Sequence, residues 1–272
     1  MRTIEIDSSS NTTFRFFLRL NCPREIRKNE RALLSGPKQI REVLREFPDR
    51  CAGIIFSSRY DTPDFPGTDN IPRYCLSPDL FDQVDTFGTK HPVLMVRAEP
   101  LPRFDGTVDN SGCTLCIPFQ DPSNVGAVIR ASAALGVTRI VLLKEAAHPF
   151  HPKSIRVAGS NIFRIPLYQG PALGRLNEFE IPLIIMAAEG DDVARFKFPE
   201  SFCLVPGLEG PGIPETLEGT RKISIPMTNG VESLNAAMAT GIVLYIWRNR
   251  QIHAKMDTGA GTNARFNDLS KE

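Results

Sequence analysis

Three stretches of this 272-residue chain place glycines and polar side chains where a ligand could be handled. The first is "DPSNVGAVIRASAALG", with Asn124 at the start of a helical pattern and Arg130 in its middle. Asn124 in that place is explained by helix capping alone. Arg130 lies among apolar and small residues. Its guanidinium either snorkels to water or meets a charged partner, because burying it alone is costly. The second stretch, "LVPGLEGPGIPE", ends an apolar run in Gly207, Gly210 and Gly212, with Glu209 between the first two. Such glycines let backbone N–H and C=O groups line a pocket, although most Gly-Pro-rich turns only turn. The third, "IPMTNGVESLNAAMATGIVLYIW", puts Ser233 and Asn235 at the mouth of a long apolar helix. Both can cap that helix, and both can hold something.

Other chemistry finds less support. His148 and His151 in "HPFHPK" have no further ligand cluster, so no metal site is expected. No Gly-x-Ser-x-Gly elbow, dinucleotide fingerprint or Walker loop occurs. Cys113 and Cys116 form a Cys-x-x-Cys without a second pair at zinc-finger spacing. On a strand their sulfurs point to opposite faces, as core cysteines in a reducing compartment would.

The elements that position these stretches can be read from periodicity. From Pro23 to Phe47 the pattern is helical, with Ser35 as a cap, Pro37 in the first turn, and Ile40, Val43, Leu44 and Phe47 at helical spacing. "CAGIIFS" and "HPVLMVRAEP" read as strands and "SPDLFDQVDTF" as a capped helix, which together make a small α/β unit. "PLPRFDGTVDNSG" (100–112) is the best linker by composition. Beyond it, "CTLCIPF", "TRIVLLK", "PLIIMAAE", "SFCLVPG" and "ISIPM" read as strands alternating with helices. That pattern predicts a mostly parallel sheet covered on both faces. Residues 1–20 give no clear pattern. The tail from Gln251 has few large apolar groups and is expected to be mobile.

Composition sets the class. Hydrophobic residues make up 42% and charged residues 23%, with a net charge of +1, which is ordinary for a soluble globular chain. No global basic field points to nucleic acid. Residues 1–50 nevertheless carry eleven basic and seven acidic side chains, so a local basic face near the N-terminus is available. The longest apolar stretch, Ala236–Trp247, is short of the roughly 20 residues that span a bilayer. A cytoplasmic location with no membrane contact is expected.

Taken in order, "NVGAVIRASAALG", "GLEGPG" and "IPMTNGVESLN" resemble the three motifs of the SpoU/TrmH branch of SPOUT methyltransferases. Each alone is weak; the three together over residues 117–247 are specific. Residues 24–100 resemble the small substrate-binding domain, like RNA-binding ribosomal proteins, that many members carry. The resemblance implies an α/β fold with a C-terminal trefoil knot, and dimerisation through the knot region. It implies S-adenosylmethionine as cofactor and methyl transfer to a ribose 2′-hydroxyl of structured RNA. Ribosomal RNA is preferred as substrate, with transfer RNA as the alternative. A non-catalytic RNA-binding or ribosome-assembly factor of the same fold is the rival class. The expected division is an RNA-binding domain over 1–105, a catalytic domain over 106–252 and a tail over 253–272.

Carried over residue by residue, the resemblance makes Asn124, Arg130, Glu209, Ser233 and Asn235 the polar catalytic set. Gly207, Ile225 and Leu234 become the cofactor contacts, largely through backbone groups. Ala236 stands where Val is frequent, and Leu135 where an aromatic is common; neither departure removes a polar group.

Overall fold

Two sheets account for the apolar runs. The computed structural model describes residues 3–60, 65, 68, 70–107, 112–207, 214–217, 220–231 and 233–257. The first sheet is built from β1 (Thr3–Ile6), β2 (Arg31–Ser35), β3 (Cys51–Ser57), β4 (Arg73–Leu76) and β5 (Val93–Arg97). Its order is β1-β4-β3-β5-β2. β1, β4 and β3 run parallel, and β5 runs antiparallel to both β3 and β2. Helices α1 (Thr12–Arg19) and α4 (Pro78–Val84) cover one face with Phe14, Phe17, Leu80 and Phe81. Helices α2 (Pro23–Asn29) and α3 (Pro37–Glu46) place Ile26, Ile40 and Val43 on the other.

The continuous helical pattern expected over Pro23–Phe47 is interrupted by β2. Glu30 adopts the left-handed conformation (φ 52°) and ends α2. "ALLS" is then buried on both faces, with Leu33 in one core and Ala32 and Leu34 in the other. A short, wholly apolar run has no period that separates strand from helix. The cap of α3 is Gly36 (φ 116°), not Ser35, which is buried at the end of β2. Residues 3–19, unreadable from sequence, supply β1 and α1.

The second sheet contains β6 (Gly112–Ile117), β7 (Arg139–Leu142), β8 (Leu167–Gln169), β9 (Leu183–Asp192), β10 (Ser201–Val205) and β11 (Arg221–Ser224). Its order is β11-β9-β10-β6-β7-β8, and every pairing is parallel. Cys113 and Cys116 on β6 are buried in cores on opposite faces, as strand alternation requires. Helix α5 (Pro122–Leu135) packs against α6 (Pro152–Ala158) and α7 (Ala236–Asp257). A 3₁₀ turn, Gly159–Phe163, prolongs α6. Helix α7 runs on to Asp257, so residues 251–257 are helical rather than tail.

The two sheets are joined by packing, not only by the chain between them. Leu34, Ile40 and Val43 share one core with Val125, Ile155 and Ile162. Around that core, the Phe47 and Phe163 rings lie 5.6 Å apart, and the Ser160 hydroxyl donates to Glu42 at 3.1 Å. Arg164 pairs with Glu46, and Arg156 sits 4.3 Å over the Phe87 ring.

Candidate active site

Parallel strands present all their C-terminal ends at one edge of a sheet. The loops leaving β6, β10 and β11 there carry the three polar stretches. β6 and β10 are neighbours. From β6 the chain goes on to β7 on one side, and from β10 it goes beyond β9 to β11 on the other. Such a switch point opens the crevice in which open α/β sheets bind ligands.

At the start of α5 the sequence offers two caps in "DPSN". Asp121 takes the position: its carboxylate accepts from the Ser123 N–H at 2.8 Å, and Pro122 fills the first turn. Asn124 is therefore not the cap expected from sequence. It lies inside the first turn and is 8% exposed. Its Oδ1 accepts a 3.0 Å hydrogen bond from Nδ2 of Asn235. Asn235 also caps α7, because its Oδ1 accepts from the N–H groups of Ala237 and Met238 at 3.0 and 3.1 Å. One amide thus closes a helix and ties the first stretch to the third. Capping and holding, alternatives in the sequence, coexist here.

Gly207 follows β10 closely. A Cβ there would stand 3.1 Å from the Met186 carbonyl oxygen of β9, so the loop passes the neighbouring strand with little room. Ile225 follows β11 and packs half-buried against the core, and Leu234 is half-buried just ahead of α7. Ser233 is exposed and makes no hydrogen bond to a described residue. Glu209 lies outside the described residues.

Arg130 projects from α5 to the surface and is not buried. It lines a cavity of about 160 Å³ together with Lys38, Gln39, Glu42 and Glu46 of α3 and residues 157–161 and 164. It makes no hydrogen bond to Asn124, Ser233 or Asn235. The structure thus brings Asn124 and Asn235 together and sets Arg130 in a pocket shared with the first sheet's α3. The pocket partners Lys38, Ser160 and Arg164 carried no motif signal. They meet Arg130 only because α3 docks against α6 and its 3₁₀ turn.

Nearby histidines have structural tasks. His151 caps α6 by accepting the Lys153 N–H at 3.2 Å. His148 Nδ1 accepts the Phe150 N–H at 3.3 Å. Burial pushes His148 down to about 4, and Arg27 and His151 add to the effect.

A family model described as the SpoU rRNA methylase family matches residues 115–245. The chain is 43% identical over 244 residues to a Syntrophobacter fumaroxidans protein named ribosomal RNA small subunit methyltransferase G 2. That match covers 89% of this chain and 49% of the relative, so the chain spans about half of that protein's length. It is 31% identical over 173 residues to the 23S rRNA (guanosine-2′-O-)-methyltransferase RlmB of Salmonella typhi, covering 58% of this chain and 71% of that one. The structure of an AdoMet-bound rRNA methyltransferase from Sinorhizobium meliloti superposes with a TM-score of 0.75 at 18% identity, over 91% of this chain and 98% of the other. At that identity the likeness concerns the fold.

Proposed function

This chain belongs to the SpoU rRNA methylase family, and from that premise we propose that it methylates a ribose 2′-hydroxyl of ribosomal RNA with S-adenosylmethionine as donor. The observation that carries the reading is the Asn235–Asn124 hydrogen bond at the C-terminal edge of the parallel sheet. It unites two of the three polar stretches at one ligand crevice.

The residues present suit the donor. Gly207 keeps backbone close to the Met186 carbonyl, and Ile225 and Leu234 offer half-buried apolar surface beside backbone polar groups. When bound, S-adenosylmethionine supplies a methyl group already activated on its sulfonium. The chain has to place the hydroxyl in line and favour its alkoxide, because a ribose hydroxyl is a poor nucleophile at neutral pH. A guanidinium offers donors and no acceptor, so Arg130 acts by holding the RNA phosphate and stabilising negative charge rather than as a base. Asn124, fixed by Asn235, orients the ribose with Ser233. Glu209 supplies the anion that organises Asn124 or pairs Arg130.

In this reading residues 1–105 bind RNA, residues 106–252 form a trefoil-knotted catalytic domain, and two copies associate in the cytoplasm through α7. Among the described residues no helix is long and apolar enough to cross a membrane.

The test is tritium transfer from labelled S-adenosylmethionine to ribosomal RNA purified from cells lacking the gene. Ribose-methylation mapping of the same RNA then identifies the subunit and nucleotide. The wild-type chain is expected to label one ribose, and Arg130→Ala to lose turnover while keeping cofactor affinity. No ribose label in any ribosomal RNA, or near-normal turnover by Arg130→Ala, would defeat the reading.

A further inference from the structure

The cavity beside Arg130 is walled by two units of the protein. α5 and the α6 turn supply one side, and α3 of the N-terminal unit supplies Lys38, Gln39, Glu42 and Glu46 on the other. Its charges fall into two groups. Glu46 is engaged by Arg45 at 2.7 Å and by Arg164, and Glu42 accepts the Ser160 hydroxyl at 3.1 Å. The Asn161 amide is spent on the Ala158 carbonyl at 3.0 Å. Lys38 and Arg130 remain. Neither makes an ion pair or hydrogen bond with a described residue, yet both border the same 160 Å³.

Two cations facing one cavity repel each other weakly across water, and an anion between them turns that cost into attraction. Of the nearby carboxylates, Glu46 has both oxygens engaged by Arg45 and Arg164, and Glu42 has one engaged by Ser160; neither makes an ion pair with Lys38 or Arg130. The helices that carry the two cations are fixed relative to each other. α3 shares a continuous core with α6 and its 3₁₀ turn through Ile40, Val43, Ile155 and Ile162, so Lys38 does not ride on a loosely tethered domain.

We propose that Lys38 is a substrate-binding residue of the methyl-transfer site, gripping together with Arg130 the RNA phosphate beside the target ribose. The N-terminal unit then completes the active site rather than only tethering RNA to it. This rests on the methyl-transfer reading above. A phosphate held from both sides fixes the ribose against the catalytic edge, and it admits only RNA whose backbone enters along the seam between α3 and α6.

The experiment compares full-length wild type, Lys38→Ala, Lys38→Arg and Arg41→Ala. Arg41 is an exposed α3 cation that does not line the cavity. Steady-state methyl transfer to ribosomal RNA from cells lacking the gene gives kcat and KM, and filter binding across a salt series gives the salt slope. Lys38→Ala should raise KM for RNA about fivefold and cut the salt slope by about one. Thermal midpoint and S-adenosylmethionine affinity, by calorimetry, should stay unchanged. Lys38→Arg should recover most of the KM, and Arg41→Ala, outside the cavity, should change KM and salt slope less than Lys38→Ala does. If Lys38→Ala matches Arg41→Ala in KM and salt slope while wild type is active, the proposal is overturned. If wild type itself labels no ribosomal RNA, the methyl-transfer reading falls and takes the proposal with it.

Discussion

At Asn235 the side-chain oxygen takes two N–H groups of α7 while the NH₂ reaches Asn124, and chemistry can separate the two roles. Asn235→Asp keeps the acceptor, and its charge suits a helix N-terminus. It loses the donor and sets a carboxylate against the Asn124 oxygen. Asn235→Ala loses both. The alanine variant should therefore lose about 1 kcal/mol in urea unfolding. The aspartate variant should hold stability close to wild type. Both should lose methyl transfer by about tenfold, because Asn124 loses the part-buried hydrogen bond that fixes its amide. An aspartate variant with full activity would reduce Asn235 to a cap. The sequence made Asn235 conspicuous but not its partner, which sits 111 positions away. The sequence reading made Asn124 the cap, whereas Asp121 takes that position with Pro122 at the first helical residue.

α5 has to lie close to α6 for Asn124 to face the crevice, and Gly126 is what permits it. A Cβ there would stand 2.3 Å from the Ser154 carbonyl oxygen, which is backbone and cannot swing aside. Alanine's better helix propensity is worth at most about 1 kcal/mol, less than the cost of forcing two helices apart. Gly126→Ala should destabilise the chain by about 1–3 kcal/mol in urea unfolding. It should also lower methyl transfer, because Asn124 moves with the helix. A variant as stable as wild type would show that α6 yields freely. Among the elements, the long strands and α5 were legible because their runs have length and a closing residue such as Gly136 (φ 77°). β2 was not, since "ALLS" is buried on both sides. β1, β4 and β8 were missed as well: "TIEI", "RYCL" and "LYQ" are short and mix polar with apolar residues, so no apolar run marks them.

The two units were visible in the alternation of strands and helices, but the seam between them was not. It is made of side chains that look like ordinary surface in sequence: Glu42, Ser160, Arg164 and the ring of Phe47. His148, beside Arg27 of the first unit, reports on this region. Its ionisation in the folded chain is held down to about 4, against an ordinary value near 6.5. Above pH 6.5 it is neutral folded or unfolded, and the stabilisation is complete. Between 6.5 and 4 the unfolded chain takes a proton that the folded chain refuses, so stability falls as pH falls. The loss should reach at most about 3 kcal/mol, and His148→Asn should flatten that limb of a urea-unfolding series. Beyond the seam, the proposed dimer makes its own demand on the surface. Met238 and Tyr245 stand 60% and 59% exposed, seven residues and so two turns apart on one face of α7. Gly241 lies between them with open space where a side chain would be, so a second helix can approach closely there. Large apolar side chains left exposed together mark an association surface more often than chance exposure does. A second copy of α7 is the occupant the family resemblance calls for. Wild type should run as a dimer in light scattering at micromolar concentration. Met238→Glu combined with Tyr245→Glu should run as a monomer, since burying two carboxylates in a contact between copies costs more than the contact returns. Wild type that is monomeric at every concentration tested, or a double variant that stays dimeric, would place the dimer contact elsewhere or remove it.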